Sequence, residues 1–193
     1  MQNALTFIIR TLVDLYIITF VLRLILQWVR ADFGNPLTQF VLKVTNPLVM
    51  PLRRMVPPVR GLDTATLLVV LLLEMVVTLG LVKLTCTGSP DILQLILLTI
   101  LRLVYLILRI YLFVILIYVL LSWISPGGYH PVAHLLSAVA EPVLRPFRNL
   151  IPLIGGIDLS PLFALIVIQA LTMILPIGPV ISGMGCLAIG QLL

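Results

Sequence analysis

The chain has 193 residues, the size of one ordinary domain, but it does not have the composition of a soluble protein. Hydrophobic residues make up 61% of it and charged residues 10%, against about 45–50% and about 25% in soluble domains. The mean hydropathy is +1.24. A soluble fold of this length cannot bury so much apolar surface, so the excess must face lipid. The composition therefore predicts an integral membrane protein.

The polar residues exclude several classes of function. Twelve Lys and Arg against seven Asp and Glu give a net charge of +5, but the basic residues form no stripe, which argues against a nucleic-acid partner. No nucleotide motif or serine–base pattern is present, so no enzyme, catalytic residue or cofactor is expected. His130 and His134 are four residues apart, but two histidines do not make a metal site.

Four stretches have the length and apolar character to cross about 30 Å of hydrocarbon as helices, or nearly so. They are residues 5–29, 64–84, 92–123 and 159–175. Between the second and the third, the run Thr87-Gly88-Ser89-Pro90-Asp91 predicts a turn. The C-terminal tail, residues 177–193, is apolar but interrupted by glycine and proline. It predicts a re-entrant or interfacial segment, with a fifth span as the alternative.

The distribution of Lys and Arg predicts the orientation, because these residues are enriched on the cytoplasmic side. Connection 30–62 carries five of them and connection 124–158 carries Arg145 and Arg148, whereas residues 1–4, 85–91 and 176–193 carry none. Both connections are therefore predicted to be cytoplasmic and both termini to lie outside. This topology puts Cys86 and Cys186 on the outer side, where a disulfide is possible.

A shift of 95 residues superposes residues 16–67 on residues 111–162 without a gap. Rare residue types coincide at this one offset, which indicates a duplicated unit. The matched pairs include Trp28 and Trp123, Pro47 and Pro142, Pro51 and Pro146, Arg53 and Arg148, and Asp63 and Asp158. The predicted fold is an all-α membrane protein with four transmembrane helices, followed by the apolar tail. It is a tandem repeat of span, interfacial connection and span, residues 1–90 and 91–176, in parallel orientation.

The two connections contain the candidate binding residues. Their apolar side chains alternate with polar ones in a way that suits helices lying in the membrane interface, and prolines such as Pro47 and Pro51 are expected to divide these helices into short pieces. Arginine side chains there can reach lipid phosphate. Ordinary contact with headgroups and a specific anionic site both remain open. The candidates are Arg53, Arg54, Arg145 and Arg148.

Two pairs of residues mark the ends of the predicted spans. Asp63 and Asp158 precede the second and fourth spans, which predicts that they cap these helices, with a salt bridge to Arg53 or Arg148 as an additional role. Trp28 and Trp123 end the first and third spans on the predicted cytoplasmic side. Indole rings at this boundary are typical interfacial anchors.

Ionisable residues also lie inside the predicted spans, where charge is costly and often functional. Arg10 and Asp14, four residues apart, are predicted to neutralise each other. Arg23 and Glu74 both lie in the cytoplasmic halves of their spans, which predicts an ion pair between helices. Structural ion pairs are one interpretation of these charges, and an ion or proton pathway is the other.

The repeated motifs resemble those of the YggT family of small bacterial membrane proteins, called YlmG in Gram-positive bacteria and with relatives in chloroplasts. The resemblance covers essentially the whole chain. It is carried by Thr45-Asn46-Pro47-Leu48, Pro51-Leu52-Arg53-Arg54 and Gly61-Leu62-Asp63 in the first half, and by residues 141–148 and 155–161 in the second. The first half departs from the second at residues 64–66.

The resemblance implies a bacterial inner-membrane protein with four spans and without established catalytic activity. Relatives are associated with osmotic or ionic stress tolerance, with envelope or cell-division phenotypes, and in chloroplasts with nucleoid partitioning and cytochrome assembly. These associations do not point to one molecular mechanism.

Two hypotheses for the function follow. The first is a non-enzymatic membrane scaffold or assembly factor whose cytoplasmic connections bind anionic lipids of the bilayer and an unidentified membrane or cytoplasmic protein. The alternative is a small ion transporter or channel component that uses Arg23 and Glu74. The strongest repeated features lie in the connections, whereas Arg23 and Glu74 align with Tyr118 and Gln169 and are not repeated. This difference favours the scaffold.

Overall fold

Seven helices form over the residues that the structure, a computed structural model, describes: 2–58, 63–86, 88–124, 131–151 and 158–182. The long helices follow the predicted apolar runs closely, because proline, glycine and aspartate bound these runs in the sequence. In chain order the helices are α1 (Gln2–Trp28), α2 (Pro36–Met55), α3 (Thr64–Thr85), α4 (Ile92–Ile124), α5 (Pro131–Leu150), α6 (Ser160–Ile174) and α7 (Ile177–Ile181).

Three helical segments are long and apolar enough to cross a membrane: Thr64–Leu84, Ile92–Ile124 and Ser160–Ile181. Helix α1, predicted as the first span, has 27 residues but is not among these three. Large apolar side chains are exposed along all the long helices, for example Phe7, Ile100 and Ile166. Such a surface is unfavourable in water and supports a membrane protein.

The helices pack in two groups of three. Helices α1, α2 and α3 contact one another, as do α4, α5 and α6, and α3 packs against α4 between the groups. Asn35 links the two connecting helices. Its side chain caps α2 by accepting from the backbone N–H of Leu37 at 3.0 Å and donates to the carbonyl oxygen of Pro131 at 2.7 Å. Helices α2 and α5 therefore begin side by side.

The prediction that prolines divide the connections was wrong, because α2 and α5 are each continuous over 20 residues. In both helices the two internal prolines are four residues apart, which places their rings on one face, and that face is exposed. The opposite face packs against the long helices and holds the helix together where backbone hydrogen bonds are lost. The buried residues are Thr38, Val41, Thr45 and Val49 in α2, and Leu135, Val139, Ala140 and Leu144 in α5.

The start of the predicted tail, helix α7, packs against the C-terminal end of α3 and the N-terminal part of α4. Ile177 and Ile181 of α7 are buried in a cluster with Leu81, Val82 and Leu98. The rest of the predicted tail, residues 183–193, lies outside the described residues. Cys86, which follows α3, is disulfide-bonded, and the other cysteine of the chain, Cys186, lies outside the described residues.

Candidate functional site: two charged corners and a buried network

The first charged corner, made by Arg23, Arg53 and Asp63, joins α1, α2 and the start of α3. Asp63 is only 1% exposed and is the N-cap of α3. Its carboxylate accepts from the N–H of Thr66 at 3.4 Å and from the hydroxyl of Thr66 at 2.7 Å. The Nη2 atoms of Arg23 and Arg53 lie 3.6 and 3.3 Å from Asp63 Oδ2. Because two guanidiniums share one carboxylate, positive charge is in excess here.

The two arginines of the first corner differ in their remaining contacts. Arg23 is 5% exposed, and its Nη1 donates to Thr45 Oγ1 and to Asn46 Oδ1, both at 2.8 Å. Residues of α2 and of the start of α3 therefore hold this guanidinium. The side chain of Arg53 is 40% exposed, and among the described residues Asp63 is its one ion-pair partner. Arg53 thus has donors left for a ligand.

The second charged corner, made by Tyr118, Glu141, Arg148 and Asp158, joins α4, α5 and the start of α6. Arg148 donates through Nε to Asp158 Oδ2 at 2.9 Å, through Nη2 to the Tyr118 hydroxyl at 3.2 Å, and through Nη1 to Glu141. Asp158 also accepts from the N–H of Ser160 at 2.9 Å, although the N-cap position of α6 is Leu159. Two carboxylates face one guanidinium, so negative charge is in excess.

Hydrogen bonds keep the second corner ionised. Partial burial would lower the pKa of Arg148, but the hydrogen bonds to Asp158 and Tyr118 and the charge of Glu141 raise this pKa above its ordinary value. Partial burial would likewise raise the pKa of Asp158, but hydrogen bonds from Ser160 and Arg148 lower it. Arg148 and Asp158 are therefore both charged at neutral pH, and this pair is suited to positioning rather than to proton exchange.

A buried network of four charges, Arg10, Asp14, Glu74 and Arg102, connects α1, α3 and α4. Arg102 Nε donates to Glu74 Oε1 at 2.7 Å, and Arg102 Nη2 lies 3.6 Å from Asp14 Oδ1. Arg10 Nε lies 3.4 Å from Asp14 Oδ2, which confirms the predicted pair within α1. Two cations balance two anions, so the network carries no net charge.

The predicted ion pair between Arg23 and Glu74 was wrong. Arg23 binds Asp63 in the first corner, and Glu74 binds Arg102 in the buried network. The sequence did contain a signal for the correct partner. Glu74 and Arg102 are equally far along the chain from Gly88 in the turn between α3 and α4, and such residues lie at the same level in a helical hairpin.

The other predicted residues lie outside these clusters. Arg54 and Arg145 are exposed on α2 and α5 and, among the described residues, take part in none of the ion pairs of the two corners. Trp28 and Trp123 are exposed near the C-terminal ends of α1 and α4. Within the described part of the chain, no group of three or more His, Cys, Asp or Glu side chains could hold a metal ion.

Four contributors to the corners were not predicted as site residues: Thr45, Asn46, Tyr118 and Glu141. The 95-residue offset offered a signal for them, because Tyr118 takes the place of Arg23 and Glu141 takes the place of Asn46. The two substitutions in the second half bring a neutral hydroxyl and a carboxylate to the corner. They reverse the sign of its excess charge.

Comparison with known proteins gives a consistent family match. The CCB3/YggT family model matches residues 2–84 and 97–179. An uncharacterised protein of Pseudomonas aeruginosa is 41% identical over 175 residues, which cover 90% of this chain and 89% of the relative. The uncharacterised protein YggT of Escherichia coli K12 is 38% identical over 172 residues, 89% of each chain. YlmG homolog protein 2, chloroplastic, of Arabidopsis thaliana is 38% identical over 65 residues, 34% of this chain and 26% of the relative. No solved structure matches.

Proposed function

Since the chain belongs to the CCB3/YggT family, we propose that it is a non-enzymatic membrane scaffold whose helices α2 and α5 bind anionic lipid and a partner protein at the cytoplasmic surface. The processes served are those associated with the family, osmotic or ionic stress tolerance and envelope or cell-division events. In this proposal α1 is a fourth membrane span, and residues 1–90 and 91–176 are tandem units in parallel orientation.

Two observations support four spans in two units. A helix of 27 residues extends about 40 Å, enough to cross the hydrocarbon core, and its charges Arg10, Asp14 and Arg23 are all engaged in ion pairs. The two segments matched by the family model begin at residues 2 and 97 and end at residues 84 and 179. This is the same spacing that superposes the sequence on itself.

The proposed topology puts connections 30–62 and 124–158 in the cytoplasm of a bacterial cell, with α3, α4 and the other spans in the inner membrane. The relatives in Pseudomonas aeruginosa and Escherichia coli support a bacterial membrane, and the basic residues of the connections support their side. At the opposite end of α3, the disulfide-bonded Cys86 suits an oxidising periplasm. Both termini are then outside the cytoplasm.

The observation that carries the scaffold proposal is the difference between the outer faces of α2 and α5. Both helices pack on the long helices in the same way, but α2 exposes five large apolar side chains beside Lys43 and Arg54: Leu37, Phe40, Leu48, Met50 and Met55. Such a mixture suits the membrane surface. Within α5, Leu150 is the one large apolar side chain exposed, beside polar residues such as His134 and Arg145. This face suits water and a protein partner.

A photo-crosslinking amino acid tests this assignment in living cells. Placed at Arg145 on α5, it should yield discrete protein adducts. Placed at Phe40 on α2, it should yield lipid adducts. The exposed Ile117 on α4 is the matched control for a lipid-facing position. If crosslinkers placed at Arg145 and at His134, on the same helix, yield no protein adduct, the scaffold proposal is contradicted.

The ion-transporter alternative is not favoured, since Arg23 and Glu74 lie in different ion pairs and form no shared site. The purified protein in sealed liposomes is therefore expected to move no ions. An ion flux that is present with the unmodified protein and disappears with Glu74→Gln would overturn the scaffold in favour of transport.

A further inference from the structure

We propose that the first half of the molecule holds a site for one anionic phospholipid. An acyl chain of the lipid occupies an apolar cavity between α1 and α4, and the phosphate of the lipid headgroup binds Arg53. This inference rests on the proposed function, because the cavity must face a bilayer for a lipid to enter it.

The cavity has a volume of about 480 Å³ and lies where α1, α3, α4 and α5 meet. Cavities of about 300–1,000 Å³ typically bind small ligands. Its one charged lining residue among the described residues is Asp63, at one end. Apolar side chains at spacings of three or four residues form a row on one face of each long helix: Val21, Leu24, Ile25 and Trp28 on α1, and Leu103, Ile107 and Tyr111 on α4.

The direction of these rows identifies the occupant. Each row follows its helix for about two turns, so the cavity is elongated along the spans. Lipid tails run in the same direction beside any helix that crosses a bilayer. An apolar, elongated cavity with a charged end has the shape and polarity of a single acyl chain attached to a headgroup.

The charged end suits a phosphate. Asp63 lines the cavity and is paired with Arg53, whose half-exposed guanidinium has donors to spare. Arg23 neutralises Asp63 from the buried side, so the carboxylate does not repel an anion. A hydrogen bond between a guanidinium and a phosphate is charge-assisted and therefore strong.

The second half does not offer the same site. Arg148 already donates to two carboxylates and to Tyr118, and the excess negative charge of its corner repels a phosphate. One lipid per chain is therefore expected. Arg145, exposed on α5, provides a control in which the same charge is removed from the half without a site.

The two tryptophans of the chain make the site measurable. Both indoles are exposed, but Trp28 lines the cavity and Trp123, near the end of α4, does not. Two single-tryptophan proteins, Trp123→Phe and Trp28→Phe, are reconstituted in phosphatidylcholine vesicles. Phosphatidylglycerol brominated on its acyl chains is then added in increasing mole fraction, and bromine quenches indole fluorescence on contact. Trp28 should show a saturable component of quenching at low mole fraction, and Trp123 only quenching in proportion to the mole fraction.

Variants test separately where the headgroup and the acyl chain of the lipid bind. Arg53→Gln should raise the mole fraction for half-maximal quenching of Trp28 about tenfold, as expected for the loss of one charge-assisted hydrogen bond. Arg145→Gln, on the face of α5 assigned to a protein partner, should not. Ile107→Phe, which fills the cavity, should abolish the saturable quenching, whereas Ile117→Phe at an exposed position of α4 should preserve it.

Four results would overturn the site, and they differ in what they say about the proposed function. Proportional quenching of both tryptophans, or no effect of Arg53→Gln, leaves the membrane placement standing and removes the lipid site. Equally saturable quenching by brominated phosphatidylcholine removes the recognition of an anionic headgroup. A protein in which brominated phosphatidylcholine quenches neither tryptophan is not in the bilayer as proposed, and then both proposals fail.

Discussion

Arg53 and Arg148 occupy equivalent positions in the two halves, and each binds the aspartate that precedes the next long helix. Around Arg53 a second cation, Arg23, shares the aspartate, whereas around Arg148 a second anion, Glu141, shares the arginine. The repeated Arg–Asp pair therefore does one structural job twice, tying a connecting helix to the start of a long helix. The neighbours that differ decide which corner can accept an anion.

The largest expected effect separates the two aspartates. Asp63→Asn leaves the buried Arg23 without its counter-ion, and breaking a buried pair costs about 3–5 kcal/mol of unfolding free energy. Asp158→Asn, at a partly exposed corner, should cost about 1 kcal/mol. Unfolding by denaturant in detergent measures both losses. Equal losses would mean that the corners are equivalent after all.

A double-mutant cycle sharpens the assignment of Arg23 to the first corner. Arg23→Gln and Asp63→Asn should be non-additive by about 2 kcal/mol, because they remove the two partners of one pair. Arg23→Gln and Glu74→Gln should add within about 0.5 kcal/mol, because these residues do not share a partner. The same unfolding experiment measures both cycles. Strong coupling between Arg23 and Glu74 would move Arg23 out of the first corner.

Removing Arg148 should destabilise the fold more than removing Arg53, although Arg53 is the arginine proposed to bind lipid. Arg148→Gln leaves Glu141 and Asp158 facing each other without a cation and should cost about 1–2 kcal/mol. Arg53→Gln leaves Asp63 paired with Arg23 and should cost about 0.5 kcal/mol. Thermal unfolding measures both variants. Adding Glu141→Gln to Arg148→Gln should restore part of the loss, and no restoration would exclude repulsion as its cause.

The smallest effect is a pH dependence at the second corner. The pKa of Asp158 lies below its ordinary value of 3.8, so the unfolded chain binds the proton more readily than the folded one. The stabilisation is complete above about pH 5 and is lost as the pH falls through the lowered pKa. Thermal unfolding of the unmodified protein and of Asp158→Asn should therefore converge in acid. A constant difference between them would contradict the assignment.

The sequence predicted features set by nearby residues well, and features set by the packing of one helix against another poorly. The positions of α3 and α4 follow from apolar runs bounded by turn residues, and the Arg–Asp pairs follow because their members are close in the chain and recur in both halves. The partner of Glu74 depends on how α3 and α4 face each other, which hydropathy does not encode. The continuity of α2 through Pro47 and Pro51 depends on packing from the opposite face, which propensity does not report.

Synthesis delivers the buried network to the membrane one helix at a time. In the proposed four-span topology, helix α1 enters the membrane with Arg10 and Asp14 paired, whereas α3 enters with Glu74 alone, and Arg102 follows 28 residues later. Ribosomes add about 5–20 residues per second, so Arg102 is synthesised roughly 1–6 seconds after Glu74. A lone carboxylate at mid-span is costly, so α3 settles together with α4 as a hairpin. A nascent chain released before α4 carries an orphaned charge by which membrane quality control can recognise it as unfinished.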